Sequence, residues 1–329
     1  MNNRVKSSPY LHGEETSNHL KLDLLIGLIT VMVVSVVQNG LRVLTVCTLC
    51  AALAWSTETL GRVILRKGFG SGLRSLSIGL IIAMLCPVSV PVWLPAAATV
   101  CSVFFVDVLL WPNYSRLFMT PAIAWIFMLS IMPAKITTYP ATNVGVELPF
   151  FQTPQEFETV RSIAQSLQYR STPEYSITEI LIGRYPGGMG TTCILIILAV
   201  CVYFIFRKSM AWEVSLSMIL TVTVFALCFN RTGSSLYYSV LYELTAASYI
   251  YMAVFVAGDI INAPMLPLAK VAYGVLIGVL SMLFRYSGLG EHSTALALTA
   301  AKLCANLLDL ATLKLQIKRQ RRKAIDKFS

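Results

Sequence analysis

Charge is what this chain has least of. Asp, Glu, Lys and Arg make up only 13% of its 329 residues while hydrophobic residues make up 56%, and the mean hydropathy is +0.69. No single soluble core of this length hides that much apolar surface, so an ordinary soluble domain is excluded and lipid becomes the solvent. The N-terminus does not read as a cleaved signal peptide, because about twenty mostly polar residues, among them His12, Glu14, Glu15 and His19, precede the first apolar run. That run is expected to stay in place as a helix. All eight cysteines (47, 50, 86, 101, 193, 201, 228 and 304) fall within or beside apolar runs, which argues against a disulfide framework. Cys47 and Cys50 share one helix face, yet no second Cys or His pair completes a metal site, and small apolar packing accounts for both. No dinucleotide fingerprint and no iron–sulfur cysteine spacing occurs in the chain.

What is present is a series of apolar runs of spanning or near-spanning length: 22–38, 41–60, 74–88, 92–110 and 118–135, then 191–207, 211–229, 237–257, 267–285 and 293–312. They predict an all-α integral membrane protein of about ten transmembrane helices in two five-helix halves. The segments are a cytoplasmic N-terminal stretch 1–21, a first transmembrane half 22–135, an extracytoplasmic loop 136–190, a second half 191–312 and a basic cytoplasmic tail 313–329. The third run is short and ends in Cys86-Pro87-Val88-Ser89-Val90-Pro91, the pattern of a broken helix lined by protein rather than lipid. No clean internal repeat is visible.

Basic residues set the orientation. Arg62, Arg66, Lys67 and Arg74 follow the second run, Arg207 and Lys208 the sixth, and Lys314, Lys318, Arg319, Arg321, Arg322 and Lys323 the tenth. With that count of helices, all three groups lie on one side, which places both termini in the cytoplasm and the 136–190 loop outside. The basic tail reads as a juxtamembrane stop that meets anionic lipid, and it is too short and too isolated for a nucleic-acid partner.

Ionisable residues inside apolar runs are costly in lipid and so point to function or to helix pairing. Glu58, Asp107, Glu243 and Asp259 are the candidates for an ion path, and Asp309 approaches the basic tail. Within the loop, Gly187, Gly188 and Gly190 precede an apolar helix, where backbone N–H groups favour an anion, although a turn admitting the chain to the bilayer explains them too. Tyr139, Tyr169, Tyr175 and Tyr185 offer faces for stacking, and interfacial tyrosine is expected in any case.

Several stretches, in order through nearly the whole membrane part, resemble one family: the D-type membrane subunit of the Rnf electron-transport complex and the related B-type subunit of the sodium-translocating NADH:quinone reductase. They are Ser8-Pro9-Tyr10-Leu11, Leu22-Asp23-Leu24-Leu25-Ile26-Gly27-Leu28 and the Pro-rich turn running to Trp93-Leu94-Pro95. The match is closest at Phe118-Met119-Thr120-Pro121-Ala122 and Ile136-Thr137-Thr138-Tyr139-Pro140, and it continues in Ile182-Gly183-Arg184-Tyr185-Pro186-Gly187-Gly188-Met189-Gly190-Thr191-Thr192 and Ala257-Gly258-Asp259. Departures are plain: Trp111-Pro112-Asn113-Tyr114 replaces a Gly-Gly, Thr191 a Glu, and Tyr169-Arg170-Ser171-Thr172-Pro173 the family's Ser-Gly-Ala-Thr flavin attachment sequence.

The resemblance implies FMN joined through its phosphate to Thr172 by an enzyme working outside the membrane, and a second, non-covalent flavin. It further implies a bacterial inner-membrane subunit that passes electrons among other Rnf-type subunits, the NADH and ferredoxin chemistry belonging to those partners. Two other readings stay open on the residues themselves: a solute channel or transporter of the same architecture, and a flavin-free scaffold subunit.

Overall fold

The computed structural model describes residues 14–66, 72–110, 118–140, 159–173, 175–231 and 235–325. Ser8–Leu11 and Trp111–Tyr114 of the resemblance lie outside these residues. The first half contains α1 (Glu14–Asn39), α2 (Arg42–Ile64), α3 (Leu73–Leu85), α4 (Trp93–Ser102) continued by a widened π-turn over Val103–Leu109, and α5 (Thr120–Ile131) with the short α6 (Pro133–Ile136). Next come a two-residue strand pair, β1 (Tyr139–Pro140) against β2 (Thr159–Val160), then α7 (Ile163–Gln168) and α8 (Ile177–Ile182). The second half holds α9 (Ile194–Arg207), α10 (Trp212–Cys228), α11 (Leu236–Thr245), α12 (Tyr249–Tyr251) with a further π-turn over Met252–Ala257, α13 (Pro267–Tyr286) and α14 (Ser293–Ile325).

Among the described residues, five helical stretches are long and apolar enough to cross a membrane and five shorter apolar helices lie among them, so five rather than the expected ten reach spanning length. The chain is therefore an all-α, multi-pass membrane protein. Large apolar side chains such as Val37, Phe206 and Leu220 stand exposed on the outer belt, where hydrocarbon rather than water covers them. The shorter helices follow from local interruptions. α3 has 13 residues and α9 has 14, about 20 Å each at the helical rise and short of the ~30 Å hydrocarbon core.

The two short helices end at breaks that close each other. Met189 donates its amide to the Cys86 carbonyl at 2.8 Å, and Gly190 donates to Met84 at 2.9 Å. The Met84 and Cys86 carbonyls, left without helical donors where α3 stops before Pro87, are thus satisfied by protein, as lipid requires. The crossing depends on glycine, because a Cβ at Gly188 would stand 2.4 Å from the Leu85 carbonyl oxygen. The broken third run is lined by protein as its sequence suggested.

Small residues also set the helix packing. A Cβ at Gly79 of α3 would lie 2.5 Å from the Cys50 carbonyl oxygen of α2, and one at Gly274 of α13 would lie 2.5 Å from the Val214 carbonyl oxygen of α10. Backbones approach closely at both crossings, which is how helices gain attraction where lipid tails compete for every apolar contact. A second break divides the Leu236–Ala257 stretch, where Ala247 and Ser248 adopt left-handed conformations (φ 52° and 54°).

The described residues of the 136–190 loop pack against the membrane helices. Ser162 caps α7 and Ser176 caps α8, each with the reciprocal bond from the third helical residue, Gln165 and Glu179. α14 runs past the end of the apolar run to Ile325, because the Lys, Arg and Gln of the tail are good helix formers.

Candidate functional site

Helix ends gather charge at two opposite ends of the bundle. At the end carrying the basic loops, Asp259 follows the second π-turn, and Met210 pairs with it as an isolated β-bridge. The Asp259 carboxylate accepts the Ile261 amide at 3.1 Å and the Asn262 side-chain amide at 3.0 Å. Lys302, buried in α14, donates to the Asn262 carbonyl. Asp259 keeps some surface but is crowded by protein, and that desolvation pushes its carboxyl above the usual carboxylate range against the pull of Arg74, the Ile261 amide and Lys302.

Arg74 also interacts with Asp107, whose carboxylate accepts the Thr120 hydroxyl at 2.9 Å. Glu58 pairs with Arg62 one turn along α2 and is felt by Asp107. Three of the four acids picked from the sequence, Glu58, Asp107 and Asp259, thus share one end, with Arg74 linking the last two. Beside them lies a shallow cleft lined by Leu24, Phe204 and Val254 and by Lys21, Arg74, Ser77, Ser209 and Asp259. Asp309 instead caps the start of α13, accepting the Met265 and Leu266 amides at 3.2 and 3.3 Å.

Glu243, the fourth acid, lies at the opposite end. One of its oxygens accepts from Arg285 at 2.9 Å, and Arg231 stands 3.7 Å from the other, an ionic contact beyond hydrogen-bond reach. Arg285 is 3% exposed and donates also to the Glu243 and Ala246 carbonyls, where the third run of the second half breaks. Its charge reaches Glu291, which accepts hydrogen bonds from Ser162 at the start of α7 and from Tyr139 in β1. This network ties the polar unit to α11 and α13.

Thr172 follows α7 and its side chain is exposed. The helix ends in a Schellman turn: Arg170 N–H donates to the Leu167 carbonyl at 3.2 Å and Ser171 N–H to Ser166 at 2.9 Å. The turn needs a left-handed residue, and Arg170 takes that conformation (φ 55°) where the resembling family has glycine. The replacement keeps the backbone path and stores strain of about 1 kcal/mol.

Other residues singled out in the loop sit differently from the expected cofactor pocket. The amides of Met189 and Gly190 are spent on α3, and Gly187 packs on the Thr192 methyl group, so the glycine run serves a chain crossing. Tyr139 is 3% exposed, and burial together with the Glu291 carboxylate raises its hydroxyl pKa well above the usual value. Its ring faces protein rather than an open stacking surface. Tyr185 is buried with its hydroxyl on the Thr191 carbonyl, and Tyr175 is half-buried. Tyr169 is 67% exposed three residues before Thr172, with the Arg161 guanidinium 5.1 Å from its ring centre.

Arg285 and Lys302 lie inside apolar runs and Glu291 just before one, yet none of the three is among the ionisable residues singled out from the sequence. Lys302 stands in the middle of the last run, and a lone cation there signals a buried partner. Among the described residues, no group of three or more His, Cys, Asp or Glu is placed to hold a metal ion.

Comparison with known proteins agrees with this architecture. The sequence profile of the NQR2, RnfD, RnfE family matches residues 4–318. The chain is 22% identical to the D-type subunit of the ion-translocating oxidoreductase complex of Actinobacillus succinogenes, over 94% of this chain and 96% of that protein. It is 23% identical to the protein of the same name from Haemophilus influenzae, with 93% and 95% covered, and 23% identical to that of Halorhodospira halophila, with 82% and 81% covered. With a family profile spanning nearly its whole length and relatives of matching extent, this chain belongs to the NQR2, RnfD, RnfE family.

Proposed function

We propose that the chain is a membrane subunit of an ion-translocating oxidoreductase complex of the Rnf type, that it sits in a bacterial cytoplasmic membrane with both termini inside, and that it carries FMN on Thr172. The observation carrying this reading is Thr172 itself: an exposed hydroxyl followed by proline, on a unit fixed to the membrane helices, at the end opposite the basic loops. In the attachment step the Thr172 oxygen attacks a phosphorus of a flavin dinucleotide. An Oγ–P bond forms, the phosphoanhydride P–O bond breaks, the nucleoside monophosphate leaves with the electron pair, and the hydroxyl proton passes to a base of the attaching enzyme. No electron is gained or lost. The bound flavin supplies reversible electron transfer. Tyr169 and Arg161 are the nearby aromatic and cationic groups on this side.

A second, non-covalent flavin belongs to the same reading, and Ser77, Ser209, Lys21 and Arg74 around the shallow cleft at the basic end are the polar groups available to it on that side. Asp259, at the edge of that cleft and next to Lys302, supports an ion-handling role better than Glu243, which holds structure together. The remaining subunits supply the NADH and ferredoxin chemistry, and anionic lipid meets the basic tail.

Intact mass of the chain, expressed with its own flavin-attaching enzyme, tests the reading. A gain of one FMN, lost in Thr172→Ala, is the expected result. A bare polypeptide mass with no fluorescent band on a denaturing gel overturns covalent attachment, and colourless protein that moves solute into liposomes favours a transporter. Orientation is tested by a membrane-impermeant thiol probe on intact cells, in a chain whose eight native cysteines are replaced, which should modify Thr178→Cys and miss Lys314→Cys.

A further inference from the structure

The exposed Thr172 lies between two fixed neighbours. On one side, the Ser171 amide closes the turn at the end of α7. On the other, the Tyr242 hydroxyl of α11 donates to the Pro173 carbonyl at 2.7 Å, with the Tyr175 carbonyl 3.2 Å from the same oxygen. Tyr242 is 3% exposed and packs against the Tyr238 ring at 5.8 Å, so the membrane helix presents this hydroxyl from a rigid position. α7 is held on its own account, through Gln165 to the Thr137 carbonyl (2.8 Å), Gln168 to the Gly288 carbonyl (2.7 Å) and Ser162 to Glu291. Among the described residues, Tyr242 is the hydrogen-bond tie given to the chain between Ser171 and the Ser176 cap of α8.

We propose that Tyr242 is a positioning residue for flavin attachment, its hydroxyl fixing the Pro173 carbonyl so that Thr172 stands out toward the attaching enzyme in one conformation. Such a bond costs the attaching enzyme less ordering of its substrate loop, and losing it is expected to change a rate by roughly three- to tenfold. The inference rests on Thr172 as the attachment residue.

Tyr242→Phe in the full chain removes the hydroxyl and keeps the ring, and Tyr238→Phe is the control. The initial rate of FMN gain, followed by intact mass, should fall roughly three- to tenfold in Tyr242→Phe and stay at the wild-type value in Tyr238→Phe. Trypsin should cut the Arg170–Ser171 bond several-fold faster in Tyr242→Phe at an unchanged thermal midpoint, which separates loss of positioning from loss of folding. Equal FMN gain in wild type and Tyr242→Phe overturns this inference alone. Absence of FMN from the wild type overturns the attachment reading, and the positioning role falls with it.

Discussion

The two ends of the bundle hold charge in opposite ways. At the loop end, Arg285 spends its donors on Glu243 and on the carbonyls of a broken helix, and Glu291 is gripped by Ser162 and Tyr139. At the basic end, the Asp259 carboxylate is bonded to its near neighbours Ile261 and Asn262, while Arg74 acts on it from beside a cleft. The first arrangement is a strut built on a buried ion pair, and a buried pair of that kind is costly to open. The second leaves a carboxyl with a raised pKa next to open space, the condition under which a group exchanges protons or ions.

If the contrast is sound, Arg285→Met has the largest effect, because it strands Glu243 in the interior. The expected loss is about 3–5 kcal/mol, seen as a lower thermal midpoint in detergent, and the double variant with Glu243→Met should recover much of it. Survival of the single variant at wild-type stability removes the strut. Asp259→Asn should do the reverse, cutting ion movement and electron transfer in the assembled complex by tenfold or more, roughly 1.4 kcal/mol in barrier, with assembly intact.

The pH behaviour of Asp259 sharpens that difference. Its folded pKa is raised, so both states hold the proton below the ordinary carboxylate range, and the cost of ionising the folded state appears as pH rises through that range toward the raised value. Asp259→Asn should therefore be as stable as the parent at acid pH and equal or more stable at neutral pH. A neutral-pH loss in thermal midpoint would place Asp259 with the struts. The smallest effect is expected at the turn before Thr172. Arg170→Gly relieves the left-handed strain and should raise stability by about 1 kcal/mol without slowing FMN gain, whereas slower gain would assign the guanidinium a part in attachment.

Hydropathy alone located the helices well, since lipid demands long apolar runs and backbone bonds within them. Even the short third run and its Pro-rich end were readable. Pairing was less so: Glu243 and Arg285 lie 42 residues apart, and nothing local in either says that they meet. Tyr139 shows the same limit, because a tyrosine in a polar stretch looks interfacial until Glu291 is seen to bury its hydroxyl. The glycine run shows a third limit. Glycine before a helix suits an anion and a close crossing equally, and the crossing comes into view only with its partner segment, Met84 to Cys86.

The mutual closure of Met84–Cys86 and Met189–Gly190 has a consequence for biogenesis. During synthesis the carbonyls of the first break enter the membrane about a hundred residues before the amides that satisfy them, on the order of ten seconds at typical elongation rates. Over that interval the nascent first half holds unpaired backbone groups at membrane depth and needs shelter from an insertase or another membrane chaperone. A chain truncated after residue 135 should accordingly be degraded in cells and be rescued when the remainder is supplied as a separate polypeptide. Stable accumulation of the truncated half on its own would show that the break closes without its partner.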